Sequence, residues 1–162
     1  MTKARYIVGT LVVSVAGITG TKLYEGKSNT AYVERVAGNQ VVTVCYGHTR
    51  TAAIGQTYTN AQCDALLLKD LNDYYAPIVR RLVTVPLSQG EFNALVDFAY
   101  NVGEGSLARS TLLRLVNARR YEEAALEFAK WKYVNGKDCT VPANRCGGIP
   151  RRREWQYQMF VS

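Results

Sequence analysis

Hydrophobic and polar positions first separate an uncharged N-terminal segment from the rest of this 162-residue chain. Residues 6–21 read YIVGTLVVSVAGITGT and lie between two basic residues, Lys3 and Arg5, and the next charge, Lys22. A basic start followed by an apolar run is typical of an export signal. As a helix the segment would span about 24 Å, against about 30 Å for the hydrocarbon core of a bilayer. We therefore expect an N-terminal apolar helix that inserts into a membrane only marginally.

A β-type pattern covers residues 30–58. The runs TAYVERV, QVVTVCYG and QTYT in this range are rich in Val, Thr and Tyr, which favour strands. Gly38 and Gly47 punctuate the runs, as expected for the turns of a hairpin. The pattern predicts a small β lobe soon after the apolar segment.

Helical spacing of apolar residues begins after Thr59 and continues to the end of the chain. Thr59-x-x-Gln62 and Ser88-x-x-Glu91 are capping boxes, so each of them predicts the start of a helix. Pro77 indicates a bend in the first of these two helices. The predicted helices cover about 59–82, 88–102, 112–116, 121–133 and 152–160.

Together these patterns predict an α+β fold class, mainly helical, with a small β-hairpin lobe and an N-terminal apolar helix. Residues 1–24 would form the apolar segment and first helix, and residues 25–162 a single domain. Within that domain the β lobe covers about 30–58 and the helical lobe about 59–162. The groove between the lobes is the expected binding site, since binding sites favour concave surfaces.

The composition describes a globular and basic protein. Hydrophobic residues make up 48% of the chain, and 20 Lys and Arg against 13 Asp and Glu give a net charge of +7. Such a protein is attracted to polyanions, among them nucleic acid, anionic lipid and bacterial wall phosphates. The clusters Arg119-Arg120 and Arg151–Arg153 lack the interleaved aromatics of a nucleic-acid motif, so we expect no nucleic-acid partner. A non-catalytic, membrane-anchored basic module that binds the wall stays open as an alternative.

The cysteines indicate disulfides rather than a metal centre. Cys45, Cys63, Cys139 and Cys146 allow three connectivities, and no CxxC pair is present. His48 is the single histidine, so neither a metal site nor a cofactor is expected. An even count behind an export-like N-terminus favours disulfides. We expect Cys139 to pair with Cys146 across a short loop, which leaves Cys45 for Cys63; four buried thiols are the alternative.

Two carboxylates and a hydroxyl after the apolar segment point to glycoside hydrolysis. That reaction needs a proton donor for the leaving oxygen and a carboxylate that activates water or attacks directly. Glu25 would end the first helix under partly apolar cover, which favours its protonated form. Glu34, in the hairpin, would stay ionised, and the Thr43 hydroxyl could hold a water. Most glutamates are solvated surface groups, so this spacing alone carries little weight.

The order of motifs along the chain resembles the phage-type lysozymes, glycoside hydrolase family 24. Glu25-x8-Glu34 followed by TVCYGHT at 43–49 is similar to their catalytic hairpin, a Glu-x8-Asp-x5-Thr triad running into T-x-G-Y-G-H-T. ALVDFAYNVG at 94–103 resembles their A-L-x-S-F-x-F-N-x-G helix. Further matches are STLL at 110–113, KW at 130–131 and GIPRRR at 148–153.

The resemblance implies a lysozyme-like fold and muramidase activity. The substrate would be bacterial peptidoglycan, cleaved at the β-1,4 bond between N-acetylmuramic acid and N-acetylglucosamine, by a monomer acting in host lysis. Glu25 would be the general acid, Glu34 would take the family's aspartate position and Thr43 its threonine position.

Three departures from the family pattern affect this hairpin. Glu34 is one methylene longer than aspartate, and the gap to Thr43 is three residues longer, apparently through an insertion at about 37–40. Cys45 replaces a glycine. Thr49 is therefore a second candidate for the hydroxyl role. A misplaced Glu34 would favour a lytic transglycosylase, in which a hydroxyl of the substrate replaces water.

Other polar and aromatic residues have weaker assignments. Tyr46 and Asn101 are candidates for binding sugar in the cleft, and plain packing is an equal alternative for Tyr46. His48 is interpreted as a structural hydrogen-bonding residue and Trp131 as part of the core. The resemblance also suggests that one of Arg151–Arg153 acts electrostatically on the general acid.

With the N-terminal segment included, the chain most resembles signal-anchor-release endolysins of tailed bacteriophages. That resemblance implies export to the host periplasm, a tether to the inner membrane by residues 6–21, and release when a holin collapses the membrane potential. Cleavage after Ala16 would remove most of a helix leading to Glu25, so we expect an uncleaved segment. While tethered, that helix could not dock and the enzyme would be inactive. The segment has no cysteine, so a thiol-based block is not expected.

Overall fold

A small antiparallel hairpin lies beside a body of packed helices in the computed structural model, which describes residues 3–36 and 38–162. This arrangement confirms the predicted α+β fold class with its small hairpin lobe. The elements in chain order are α1 Val15–Tyr24, β1 Ser28–Val36, β2 Asn39–Cys45, α2 Asn60–Asp70, α3 Ala76–Leu82, α4 Gln89–Val102, α5 Glu104–Ala108, α6 Thr111–Asn117, α7 Tyr121–Glu127, β3 Tyr133–Val134, β4 Lys137–Asp138 and α8 Gly148–Val161.

Helix α4 forms the centre of the helical body. The predicted capping box fixes its start, because the Ser88 hydroxyl accepts from the Glu91 N–H and the Glu91 carboxylate accepts from the Ser88 N–H. Residues 91–99 are all buried, and α8 packs along this helix. Gly103 ends it at φ +83°, a conformation that glycine adopts without strain.

The long helix predicted over 59–82 is present, with its capping box at Thr59, but its middle turn is π-helical. Helix α2 leads into the π-helical turn Leu71–Tyr75, and α3 follows directly. Pro77 has no N–H to donate, and its ring crowds the carbonyl four residues earlier. That carbonyl lies within the π-helical turn, and the wider turn accommodates the proline without ending the helix.

The helix predicted over 121–133 was too long. Helix α7 gives way to a 3₁₀ turn at Phe128–Lys130, and the short hairpin β3–β4 follows. The turn of this hairpin is Asn135-Gly136, with φ at +49° and +76°. These left-handed conformations are typical of two-residue hairpin turns and exclude continuation of the helix.

The last helix starts earlier than the predicted residue 152. It begins at Gly148 and includes Pro150 in its first turn, where the missing N–H of proline costs nothing. Helix α5, which has only five residues, was not predicted.

The strands are shorter than the range 30–58 predicted for them. Residues 46–58 form turns and contribute only isolated bridges to the hairpin. Gly47 and Gly55 have φ of +95° and +89°, so the backbone turns at both positions and cannot continue a strand.

Both predicted disulfides are confirmed. Cys45–Cys63 ties the end of β2 to α2, and Cys139–Cys146 closes the loop before α8. Cys45 has φ +59°, in the left-handed region that favours glycine. That conformation accounts for the glycine that the family pattern places at this position.

The N-terminal apolar segment is not the continuous helix predicted over 6–21. Tyr6 pairs with Leu87 as an isolated bridge, a 3₁₀ turn covers Val8–Thr10, and α1 begins only at Val15. Its glycines and β-branched residues have weak helix propensity, so contacts with the helical body decide the conformation. Among the described residues, no helix combines the length and the apolar character needed to cross a bilayer.

Polar and apolar contacts dock this segment on the helical body. Arg5 forms a bidentate ion pair with buried Glu91, with Nη2 2.7 Å from Oε1 and Nε 3.0 Å from Oε2. Gly20 of α1 lies against the Trp155 ring so closely that a Cβ there would be 1.7 Å from a ring carbon. The docking therefore fixes α1 and the residue that follows it. The buried apolar residues of the segment are Val8, Leu11 and Val13.

We predict that Arg5→Ala lowers the free energy of unfolding by about 3 kcal/mol, because it leaves the buried carboxylate of Glu91 without its cation. The control is Arg120→Ala, which removes a solvent-exposed ion pair with Glu123 and should cause a much smaller loss. Denaturant unfolding measures both values. Equal losses in the two variants would show that the Arg5 ion pair contributes no more than a surface pair.

Candidate active site

Glu25 lies at the C-terminal end of α1, with its backbone N–H bonded to the Thr21 carbonyl at 3.2 Å. Its side chain is 20% exposed, and Oε1 accepts a hydrogen bond from Nη1 of Arg152. Burial raises the pKa of this carboxyl, Arg152 opposes that effect, and the negative charges of Asp97 and Glu34 add to it. The net direction is upward, which favours a protonated Glu25.

A buried ion-pair network stands behind Glu25. Arg152 from α8 reaches Asp97 from α4 through two bonds, Nη2 to Oδ1 at 2.7 Å and Nε to Oδ2 at 3.0 Å. The Gln156 amide also donates to Asp97 Oδ2 at 2.5 Å. Of the three consecutive arginines considered from the sequence, Arg152 is the one that contacts Glu25.

The other oxygen of Glu25 faces the loop that follows β2. Oε2 has no hydrogen-bond partner among the described residues. A Cβ at Gly47 would lie 3.9 Å from this oxygen and 3.6 Å from Tyr100 Oη. Tyr100 donates to the Tyr46 carbonyl at 2.5 Å, which holds the loop, and burial raises the pKa of its phenol. The glycine therefore leaves the space beside Oε2 open.

One face of the hairpin carries Glu34 and Thr43. Tyr32 lies opposite Thr43 in the register, and Glu34 is two residues further along β1, so all three side chains share this face. Of the insertion expected at about 37–40, residue 37 lies outside the described residues, and the remainder belongs to the hairpin turn and the start of β2.

Tyr32 was missed from the sequence. Burial, and then the negative charges of Glu34 and Glu25, raise the pKa of its phenol, which places it electrostatically near both carboxylates. The signal that could have found it was the strand alternation, because Tyr32 precedes Glu34 by two residues and so shares its face.

The Thr43 hydroxyl is buried without a partner. The residue is 2% exposed, and within the part of the chain that the structure describes its Oγ1 has no hydrogen bond. Such groups cost free energy unless a water or ligand satisfies them. Thr49, the second candidate, is exposed.

The two predicted sugar-binding residues already have protein partners. Tyr46 is 6% exposed and donates its hydroxyl to Asp64 at 2.8 Å. Asn101 Oδ1 accepts from Arg153 Nη2 at 2.6 Å and is partly exposed. Asn101 is therefore the better candidate for binding sugar, because it is partly exposed whereas Tyr46 is buried.

His48 has the contacts of a structural residue. Its Nδ1 lies 2.7 Å from Asp70 Oδ2 and its Nε2 lies 2.8 Å from Thr51 Oγ1. The bond to Asp70 connects the loop after β2 to α2, and the bond to Thr51 lies within that loop. No group of three or more His, Cys, Asp or Glu within residues 3–36 and 38–162 is arranged to hold a metal ion.

The arrangement brings two chemical functions close enough to interact electrostatically. A carboxyl group whose protonated form is favoured presents one free oxygen, while a second carboxylate and a hydroxyl lie on the facing hairpin. A proton donor opposite a group able to orient water is the requirement for cleaving an acetal bond.

Known proteins with similar sequences and structures point in the same direction. The Phage lysozyme family model matches residues 22–156. The SAR-endolysin of Enterobacteria phage PA-2 is 35% identical over 94% of this chain and 88% of its own length. The endolysin of Bacillus phage B103 is also 35% identical, over 93% of this chain, which spans about half (54%) of that protein. The muramidase domain of SpmX from Asticaccaulis excentricus superposes with a TM-score of 0.80 at 31% identity, covering 94% of this chain and 99% of that domain.

We predict that Thr43→Val raises the free energy of unfolding by up to about 1 kcal/mol, because it replaces an unpartnered buried hydroxyl with a methyl group of the same shape. Thr49→Val is the control at an exposed position and should leave stability within about 0.5 kcal/mol. Denaturant unfolding of both variants provides the comparison. A clear loss of stability in Thr43→Val would mean that the hydroxyl has a structural partner.

Proposed function

The chain belongs to the phage lysozyme family and is a glycoside hydrolase of the lysozyme type; from that premise we propose that it is an endolysin that hydrolyses the β-1,4 bond between N-acetylmuramic acid and N-acetylglucosamine. Peptidoglycan is the substrate that the family implies. The observation that carries the proposal is Glu25, a largely buried carboxyl with Oε1 held by Arg152 and Oε2 beside Gly47, where it has no hydrogen-bond partner among the described residues.

In this mechanism Glu25 is the general acid. Its pKa is raised chiefly by burial, which favours the protonated form, and the proton can pass from Oε2 to the leaving glycosidic oxygen. The Arg152 guanidinium then stabilises the carboxylate that remains after the proton has left. The Glu25 carboxylate can recover its proton from water once the product departs.

Glu34 and Thr43 complete the proposed site on the hairpin. The Glu34 carboxylate is exposed, so water can reach it, and it would act on the attacking water. The unpartnered Thr43 hydroxyl is placed on the same face and would bind that water. On this proposal Thr43→Val loses activity even though it gains stability, a trade-off typical of functional sites.

We predict that Glu25→Gln lowers the rate of peptidoglycan hydrolysis by at least about 100-fold, because an amide is too weak an acid to protonate the leaving oxygen. Glu122→Gln, an exposed glutamate on α7, is the matched control and should keep native activity. Release of reducing ends from purified peptidoglycan measures the rate, and analysis for 1,6-anhydro ends detects a transglycosylase. Native activity in Glu25→Gln would overturn the catalytic assignment, and absence of activity in both proteins would favour a wall-binding module.

We also propose that residues 6–21 tether the enzyme to the inner membrane after export, before release into the periplasm. The support is their uncharged sequence and the SAR-endolysin relatives. The docked segment makes contacts that a bilayer would preclude, including the ion pair of Arg5 and the burial of Leu11. A tethered chain would lack docked α1, so Glu25 would not be positioned. Collapse of the membrane potential by a holin would allow release.

We predict that the double variant Gly9→Leu and Thr10→Leu delays lysis of expressing bacteria. Both positions are exposed in the docked state, and a Cβ at Gly9 meets no atom within 4 Å, so the change strengthens only the membrane-inserted state. Culture turbidity and membrane fractionation, before and after addition of an uncoupler, follow the release.

The control for this experiment is Gly9→Ser and Thr10→Ser, which alters the same positions without adding apolar surface. The control should fractionate and lyse like the native chain, and both purified variants should degrade peptidoglycan at the native rate. Lysis of the leucine variant at the native time would contradict tethering by residues 6–21.

A further inference from the structure

The geometry points to Asp97 as a positioning residue for the general acid: it holds and neutralises Arg152, so that Glu25 can remain an uncharged, proton-bearing group beside a buried cation. The inference rests on the proposed function, since it presupposes that Glu25 is the acid. Asp97 itself lies behind Arg152 and is 1% exposed, so it acts through the arginine rather than on the substrate.

The division of hydrogen bonds on Arg152 is the first observation. Two of its nitrogens, Nε and Nη2, bind the two oxygens of Asp97, while Nη1 binds Oε1 of Glu25. A guanidinium held through two parallel bonds has a fixed plane and direction. Asp97 therefore determines where Nη1 points, and with it which oxygen of Glu25 stays free.

Charge balance is the second observation. Arg152 is 3% exposed, and a cation so deeply buried needs a counter-charge. With Asp97 ionised, the Arg152–Asp97 pair is neutral, and a protonated Glu25 adds no charge to it. Without the Asp97 charge, an ionised Glu25 would be the remaining carboxylate bonded to Arg152, and the pKa of Glu25 would fall.

A carboxylate and three phenols are further titratable groups around Glu25. Glu34 on the hairpin raises the pKa of Glu25, as Asp97 does, but from an exposed position. The phenols that face it are neutral near pH 7, because burial raises the pKa of each of them. They belong to Tyr32, Tyr75 and Tyr100.

Arg153 is the second buried cation of the network. It faces Arg152 and Asp97, and burial followed by the charge of Arg152 lowers its pKa to about 10. Its hydrogen bonds go to neutral oxygens, on Asn101, Gln156 and Trp131. The negative charge of Asp97 therefore balances two arginines. Loss of that charge would leave both cations to favour the ionised form of Glu25.

Asp97 is also a departure from the sequence pattern of the family. ALVDFAYNVG at 94–103 has aspartate where the pattern A-L-x-S-F has serine. A serine at this position could accept a hydrogen bond from Arg152 but could not neutralise it. The carboxylate is therefore a property of this chain rather than of the pattern.

The test is the pH dependence of peptidoglycan hydrolysis by Asp97→Asn. The amide keeps an oxygen for Arg152 but removes the charge, so the pKa of Glu25 should fall. Because the acid must be protonated to act, the alkaline limb of kcat/KM should move to lower pH by about 0.5 to 1 unit. Activity on the acid side of that limb should be largely retained.

Two further variants make the result specific. Asp97→Glu retains the charge, so its alkaline limb should stay near the native position even if kcat falls. Glu127→Gln removes another buried, ion-paired carboxylate, which bonds Lys130 and neither Arg152 nor Glu25, and its limb should not move. The inference would be overturned if Asp97→Asn lost rate equally at every pH and kept the native position of the alkaline limb. It would also be overturned if the alkaline limb of Asp97→Glu shifted as far as that of Asp97→Asn.

Failure of this inference can be separated from failure of the proposed function. If Glu25→Gln is inactive while Asp97→Asn and the native enzyme share one pH profile, Glu25 is the acid and only the role of Asp97 is wrong. If Glu25→Gln is active, the proposed function fails before Asp97 is considered. Should Asp97→Asn not fold, Asp97→Ser takes its place, because it also removes the charge and its alkaline limb should likewise move to lower pH.

Discussion

The buried guanidinium of Arg152 is the constraint on which the rest of the site depends. It joins the end of α1, the middle of α4 and the start of α8, because its nitrogens bind Glu25 and Asp97. Burial opposes the charge of Arg152, but Asp97 and Glu25 together raise its pKa, so it remains a cation. Asp97 and Glu25 both bond this buried cation, but of the two carboxyl groups only that of Glu25 has an oxygen without a hydrogen-bond partner among the described residues.

The position of Glu25 also depends on the N-terminal segment. Helix α1 is short, and its place on the body is set by the contact of Gly20 with Trp155 and by the ion pair of Arg5 with Glu91. If the segment were not docked on the helical body, Glu25 would no longer lie beside Arg152. Activity and docking are therefore coupled in this architecture, and the proposed membrane tether would act through that coupling.

Much of the architecture follows from local sequence. The capping boxes at Thr59 and Ser88 and the close pairing of Cys139 with Cys146 each involve residues a few positions apart, and the structure confirms all three. The N-terminal segment was predicted wrongly as one helix, because its conformation is decided by contacts with distant residues. Strand alternation could have found Tyr32, but no local pattern shows that the Thr43 hydroxyl lacks a partner. The Arg152–Asp97 bond spans 55 positions, so its partners could not be chosen from sequence.

The central claim is that burial and charge balance keep Glu25 protonated as the acid. A carbon-13 NMR titration of side-chain carboxyl groups measures this most directly, with the Glu25 resonance assigned by its absence in Glu25→Gln. The account predicts a titration midpoint above the ordinary value of 4.5. A midpoint at or below 4.5 would show that Arg152 outweighs burial, and it would contradict the proposal that this carboxyl holds the catalytic proton.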